Sequence, residues 1–165
     1  MCIRDRSDAI DVLRTGTSAA LVVGALGPRM RRLAAEHADG ALLSWLPPES
    51  ATQQADELRD IGAARQGERP RIALYVRTIV DQAARPVLER EAEQYASYAA
   101  YAANFARLGV AAIDTTLPRA GEPLAAGVAA YAGIDELVLR AITPTGSLDD
   151  LLAFVDTAAQ QLRPA

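Results

Sequence analysis

The sequence predicts an α/β protein in which helices cover a parallel β-sheet. Short apolar segments alternate with amphipathic ones along the chain, the order typical of a strand-helix repeat. The apolar segments are hydrophobic at nearly every residue, as in strands that are buried on both faces. The chain has 165 residues, whereas a complete (β/α)₈ barrel needs about 250. Its four strand-helix units therefore predict half of such a barrel.

The first unit combines a short buried strand with a proline-capped helix. Residues 19–24 are apolar, lie between a Gly-Thr-Ser segment and Gly27-Pro28, and predict the strand. Pro28 suits the first helical position. The helix is predicted to end at Asp39-Gly40. Its apolar residues recur at helical spacing: Met30, Leu33, Ala34 and Ala38.

The second and third units follow the same order. Residues 41–45 predict a strand, and residues 47–50 open a helix that continues to about Ile61. A polar loop over residues 62–70 precedes the third strand, residues 71–80. Alternation in this strand predicts two different faces. One carries Ile72, Leu74, Val76 and Thr78, and the other Ala73, Tyr75, Arg77 and Ile79.

The fourth unit follows a long helix rich in aromatic residues. This helix is predicted over residues 86–108, with Gly109 as its end. Its stripe of Tyr95, Tyr98, Tyr101 and Phe105 favours core packing, with a pocket wall or subunit interface as the alternative. Residues 136–142 predict the fourth strand, and Ser147 caps the last helix, with Asp150 in the capping-box position. The apolar stripe of that helix is Leu148, Leu151, Leu152, Val155, Ala159 and Leu162.

Composition excludes several classes of function. The net charge is −4 without a basic stripe, so we expect no nucleic-acid partner. The longest apolar stretch, residues 19–26, is too short to span a bilayer, and we expect a cytoplasmic protein without a membrane partner. His37 and Cys2 are the only histidine and the only cysteine, which excludes a zinc site and a serine triad. Redox chemistry by a bound cofactor is the economical interpretation.

The turn from the first strand into the first helix predicts an anion site. Residues 21–30 read Leu-Val-Val-Gly-Ala-Leu-Gly-Pro-Arg-Met, and a helix beginning there directs unpaired N–H groups and its positive dipole end at one spot. Arg29, Arg31 and Arg32 oppose that dipole, and a bound phosphate would relieve the conflict. The alternative is a tight turn with three solvated arginines.

Residues 24–45 resemble the luciferase-like monooxygenase family of flavin- or deazaflavin-dependent oxidoreductases. The resemblance continues through residues 74–78 and 135–140. It implies a partial (β/α)₈ TIM barrel, because family members are such barrels and the matching pieces resemble their strands 5 to 8. We expect residues 7–165 to be the C-terminal half of that domain. Residues 1–6, Met-Cys-Ile-Arg-Asp-Arg, resemble a translated sequencing adapter and are expected to be non-native.

The resemblance also implies a cofactor site. Backbone amides in the loop and just past the proline would hold the cofactor phosphate, and Ser44 matches a hydroxyl position that faces it. The loop and post-proline residues are Ala25, Leu26, Gly27, Arg29 and Met30. FMN would make the protein a monooxygenase, and coenzyme F420 would give hydride transfer. The acid-base residues of the family belong mostly to the amino-terminal strands, so no catalytic residue is assigned.

Two strand arginines are candidates for substrate contacts. Arg77 and Arg140 lie among apolar neighbours, where a cation needs an anionic or hydrogen-bonding partner. The alternative is a structural ion pair with nearby carboxylates. Trp45 lines the cofactor site or packs in the core, and His37 is expected to be a surface or packing residue.

Two functions follow from these expectations. The first is the C-terminal half of a flavin- or F420-dependent oxidoreductase that acts on a small organic substrate, with this piece inactive alone. The second is a non-catalytic half-barrel that binds phosphate or another protein, in which two copies pair as a homodimer.

Overall fold

The computed structural model describes residues 3–64, 69–119 and 121–163. Its elements, in chain order, are α1 (Ile3–Gly16), β1 (Val22–Gly24), α2 (Pro28–His37), β2 (Gly40–Ser44), α3 (Pro48–Ala63), β3 (Arg71–Thr78), α4 (Arg85–Ser97), α5 (Ala99–Leu108), α6 (Leu124–Ala129), β4 (Glu136–Ala141) and α7 (Leu148–Gln161). Short 3₁₀ helices precede α4 and follow α5. Cys2 and part of the predicted 62–70 loop lie outside the described residues. No helix within the described ranges is both long and apolar enough to cross a membrane.

The four strands form one parallel sheet in the order β1-β2-β3-β4. Gly40 pairs with Val22 on one side and with Arg71 on the other. A Cβ atom at Gly40 would overlap the Arg71 carbonyl oxygen, so glycine permits this close approach of two strands. The predicted parallel sheet is confirmed, and its four strands lie within one to three residues of the predicted bounds.

The core lies between one face of the sheet and its helices. Ile72, Leu74 and Val76 of β3 are at most 2% exposed and pack in the main cluster with residues such as Leu58 of α3. The alternation predicted for β3 is therefore confirmed over residues 71–76, after which both faces are buried. On the opposite face, Leu42 is 37% exposed.

Helix α1 was not predicted. It includes part of the 1–6 segment that the sequence analysis set aside, and its Ile10 is buried. Arg14 Nη2 lies 2.6 Å from Asp39 Oδ1, and the second oxygen of Asp39 accepts a 2.6 Å hydrogen bond from the Leu21 N–H. The Arg14–Asp39 ion pair therefore links α1 to the turn between α2 and β2.

The predicted single helix over residues 86–108 is wrong. Tyr98 has an extended backbone (φ −80°, ψ 125°) that separates α4 from α5. Across this bend the rings of Tyr95 and Tyr101 meet edge to face at 4.9 Å, and the Tyr98 ring lies 5.7 Å from that of Tyr95. These ring contacts stabilise the bend. Gly109, with a left-handed φ of 68°, ends α5 as predicted.

The last helix begins at its predicted cap but buries a different side. Ser147 Oγ accepts a hydrogen bond from the Asp150 N–H, which confirms the cap. Most of the predicted stripe is exposed, whereas Phe154 and Ala158 enter the core. The exposed fractions are 70% for Leu148, 40% for Leu151, 55% for Leu152 and 61% for Val155. The helix is apolar on more than one side, so periodicity alone does not select the buried one.

Candidate active site

A cavity of about 530 Å³ opens where β1 and β2 end and α2 begins. One wall comes from the loop before α2 and the end of β2, and the facing wall from β3 and α5. Five of the six predicted cofactor residues line it: Ala25, Leu26, Gly27, Met30 and Ser44. Tyr75, Tyr101, Asn104 and Arg107 line the other side. The structure therefore brings most of the predicted phosphate site into one pocket.

Only some backbone amides at this pocket are available to a ligand. The Ala25 N–H donates to the Leu42 carbonyl at 3.0 Å, and the Met30 N–H donates to the Gly27 carbonyl at 3.0 Å. Within the described ranges, the N–H groups of Leu26 and Gly27 donate no backbone hydrogen bond. They stand at the amino-terminal end of α2, where the helix dipole is positive.

Arg29 is the predicted cofactor residue that does not line the cavity. Its side chain is exposed, and its N–H lies in the first turn of α2, where N–H groups lack an intrahelical partner. The other two arginines of that turn are balanced by carboxylates. Arg31 Nη2 lies 2.9 Å from Glu57, and Arg32 Nε lies 2.7 Å from Glu36. The first-turn arginines therefore give less support to a bound anion than the sequence suggested.

Ser44 is held so that its hydroxyl hydrogen remains available. Ser44 Oγ accepts a 3.3 Å hydrogen bond from Arg77 Nη1. Because a hydroxyl both accepts and donates, the Ser44 O–H can donate to a ligand in the pocket.

Arg77 is buried beneath this wall and bound on several sides. Its Cζ lies 3.7 Å from the centre of the Trp45 ring and 4.5 Å from that of Tyr95. Its Nε donates to Glu91 Oε1 at 2.7 Å, and its side chain is 4% exposed. Trp45 itself has a left-handed φ of 58°, a strained conformation that its surroundings must maintain.

Arg140 shares Glu91 with Arg77. Its Nη1 contacts the same Glu91 oxygen, and its side chain is 35% exposed. Arg140 and Glu91 border a second cavity, of about 500 Å³, which Gln94 and Tyr95 also line. The geometry therefore matches the ion-pair alternative, and substrate contact by the two arginines stays a prediction.

Trp45 packs in the core, and His37 lies away from the pocket. Trp45 is 2% exposed and packs 5.6 Å from Phe105, centre to centre, in a small core cluster. His37 ends α2, at the opposite end from the pocket, and its carbonyl accepts from Arg14. Among the described residues, no three potential ligands are grouped as a metal ion would require.

Two polar residues of the facing wall, Asn104 and Arg107, were not predicted. Asn104 is 1% exposed, and its Oδ1 accepts a hydrogen bond from Arg107. The Nδ2 group of Asn104 is buried and has no hydrogen-bond partner among the described residues. The sequence did contain a signal for Asn104. It is an amide residue three positions after Tyr101 and next to Phe105, within an aromatic helix predicted to pack against the core.

Comparison with known proteins gives a family and a fold. The sequence model of the luciferase-like monooxygenase family matches residues 7–161. A solved F420-dependent secondary alcohol dehydrogenase, in complex with an F420-acetone adduct, superposes with a TM-score of 0.66 at 14% identity. The match covers 99% of this chain and 64% of that chain, so this chain spans less than two thirds of that protein. This structural match confirms the prediction of a partial TIM barrel. No curated protein sequence matches.

Proposed function

Because the chain belongs to the luciferase-like monooxygenase family, we propose that it is the cofactor-binding part of an oxidoreductase that uses F420 or FMN. The observation that carries the proposal is the cavity at the start of α2, which gathers Ala25, Leu26, Gly27, Met30 and Ser44. A bound deazaflavin or flavin would supply hydride-transfer or oxygen chemistry. The residues of this chain would bind and orient its phosphate.

The charge and the hydrogen-bond donors of the pocket fit a phosphate. Leu26 and Gly27 offer backbone N–H groups, and Ser44 offers its hydroxyl. Arg107 adds positive charge, and no aspartate or glutamate of the described chain lines the pocket. Such a set of donors stabilises a multiply charged oxyanion better than a neutral ligand.

F420 is the first cofactor to test, because a solved protein that shares the fold is F420-dependent and carries an F420-acetone adduct. By that analogy the substrate class is a small alcohol or carbonyl compound, handled in the cytoplasm. FMN with oxygen is the second choice, since the matching family is named for monooxygenases.

Substitution of Gly24 tests this assignment. Gly24 lines the pocket, and a Cβ atom there would meet nothing within 4 Å. Valine also suits a strand. The Gly24→Val protein should therefore fold normally, while its side chain occupies space that the cofactor needs. Gly16→Val is the matched control, because Gly16 also faces open space but lies at the end of α1, outside the pocket.

Isothermal titration calorimetry with F420, FMN and riboflavin gives the readout. We expect the wild-type chain to bind F420 or FMN more tightly than riboflavin, which lacks the phosphate. Gly24→Val should weaken that binding at least about tenfold, a loss of 1.4 kcal/mol, and Gly16→Val should not. A folded wild-type chain that binds neither F420 nor FMN contradicts the proposal.

The exposed side of α7 supports a second candidate function, the interaction module. Leu148, Leu152 and Val155 are each at least 55% exposed on one helix, and exposed apolar patches of this kind often mark protein contacts. For this candidate we propose a homodimer. Sedimentation velocity should then show concentration-dependent dimers that Leu152→Glu dissociates. A chain that stays monomeric at every concentration contradicts this candidate.

A further inference from the structure

The wall of the pocket that faces the loop before α2 contains a buried amide with unused hydrogen-bonding capacity. Asn104 of α5 is 1% exposed and lines the cavity. Its Nδ2 group is buried, and no partner in the described chain accepts from it. A buried donor left unpaired is destabilising, so such a group in a pocket wall points to a ligand that accepts a hydrogen bond.

Arg107 determines which end of this amide remains unused. Arg107, one turn later on α5, donates to Asn104. A guanidinium group only donates, so the amide must present its oxygen to Arg107 and leave its NH₂ group for another partner. The Arg107 guanidinium also brings a positive charge to the same wall. The Asn104 NH₂ group and the Arg107 guanidinium therefore offer a hydrogen-bond donor and a positive charge together. Both groups disfavour a cationic ligand.

The two walls are complementary to one kind of group. Leu26 and Gly27 present N–H groups from the start of α2, and Asn104 and Arg107 present an NH₂ group and a cation from α5. A tetrahedral oxyanion has several acceptor oxygens that point in different directions, so it can accept from both walls at once.

We propose that Asn104 and Arg107 form a second phosphate-binding wall, with Asn104 Nδ2 as the donor and Arg107 as the positioning cation. The inference rests on the proposed function for the identity of the cofactor, but not for the anion site itself. It assigns to α5 a contact with the phosphate that the loop before α2 holds from the other side.

Asn104 is the only asparagine of the chain, which makes the test direct. Labelling with ¹⁵N-asparagine gives a single side-chain NH₂ signal in the NMR spectrum of the whole chain. Titration with inorganic phosphate should shift that signal saturably, whereas sodium chloride at equal ionic strength should not. An unmoved signal at saturating F420 or FMN overturns the inference.

Two substitutions separate binding from folding. Asn104→Asp keeps the acceptor for Arg107 but replaces the donor with a charged oxygen, so phosphate and FMN affinity should fall about 10- to 100-fold, as for a lost hydrogen bond to a charged group. Asn104→Leu keeps the number and branching of the side-chain heavy atoms and removes the unpaired donor, so it should lose the same affinity. Its melting temperature shows whether the variant is folded. Riboflavin affinity should not change in either variant.

Arg107→Gln tests the positioning role. If Arg107 orients the amide, this variant should lower phosphate and FMN affinity and also broaden or shift the Asn104 NH₂ signal before any ligand is added. A purely structural role would change the melting temperature without changing the FMN-to-riboflavin affinity ratio.

The results distinguish this inference from the proposed function. If F420 or FMN binds but the Asn104 variants bind it normally, the inference fails and the proposed function stands. If inorganic phosphate shifts the Asn104 signal but neither cofactor binds, the anion site stands and the proposed function fails. If no anion or cofactor binds the folded chain, both fail.

Discussion

Glu91→Gln should destabilise the protein, because Glu91 neutralises the buried guanidinium of Arg77. Glu91 is 17% exposed and holds the 4% exposed Arg77 at 2.7 Å. Removal of one partner from a buried ion pair costs about 3 to 5 kcal/mol. Glutamine keeps one acceptor oxygen for Arg77, and the Trp45 ring still covers the guanidinium, so we expect a loss of about 2 to 3 kcal/mol.

Thermal unfolding followed by circular dichroism measures this loss. For a chain of this length 1 kcal/mol corresponds to about 2 to 4 °C, so the melting temperature should fall by about 4 to 12 °C. Glu89→Gln is the control, because Glu89 is 51% exposed and pairs with Arg85 one turn away. A surface pair of this kind contributes about 0.3 to 0.5 kcal/mol. Equal shifts in the two variants would refute the view that Arg77 is a buried, compensated charge.

Two further predictions concern pH. Burial opposes ionisation of Asp135, but hydrogen bonds from the Ile72 N–H and Arg59, with the charges of Arg59 and Arg69, hold its pKa below the usual value. Asp135→Asn should therefore lower the melting temperature at pH 7, and its difference from wild type should shrink as the pH falls below about 4. Burial also raises the pKa of Tyr131 to about 12, so its contribution to stability is complete below pH 10 and is lost as the pH rises toward 12. An absorbance titration should show a late-ionising tyrosine that Tyr131→Phe removes, and this variant should lose about 1 to 2 kcal/mol at pH 7, because the Leu46 carbonyl loses its buried donor.

Most of the fold could be predicted because it follows from local pattern. The apolar runs at residues 41–45 and 71–80 contain strands, and Pro28 and Gly109 mark a helix start and a helix end as observed. These signals depend on nearest neighbours, so one sequence is sufficient to read them. The buried side of α7 could not be predicted in this way, because it depends on which elements pack against the helix.

In the candidate site, too, the residues that are contiguous in the chain could be predicted, and those brought together by tertiary packing could not. The loop before α2 could be predicted, since a strand, a glycine turn and a proline-capped helix are contiguous in the chain. The partners of Arg77 could not, because Glu91 lies 14 residues away on another element. Asn104 and Arg107 were not predicted as pocket residues, because the bend at Tyr98 that sets the direction of α5 was predicted as continuous helix.

The bend at Tyr98 therefore links packing to the pocket. After this bend, α5 brings Tyr101, Asn104 and Arg107 to the pocket that Gly27 and Ser44 also line. Tyr101 belongs both to the bend and to the pocket. Its ring contacts that of Tyr95 at 4.9 Å, and Tyr101 also lines the cavity. Because the α5 wall of the pocket follows this bend, we expect the contact between the Tyr95 and Tyr101 rings to hold Asn104 in position, although Tyr95 itself does not line this cavity.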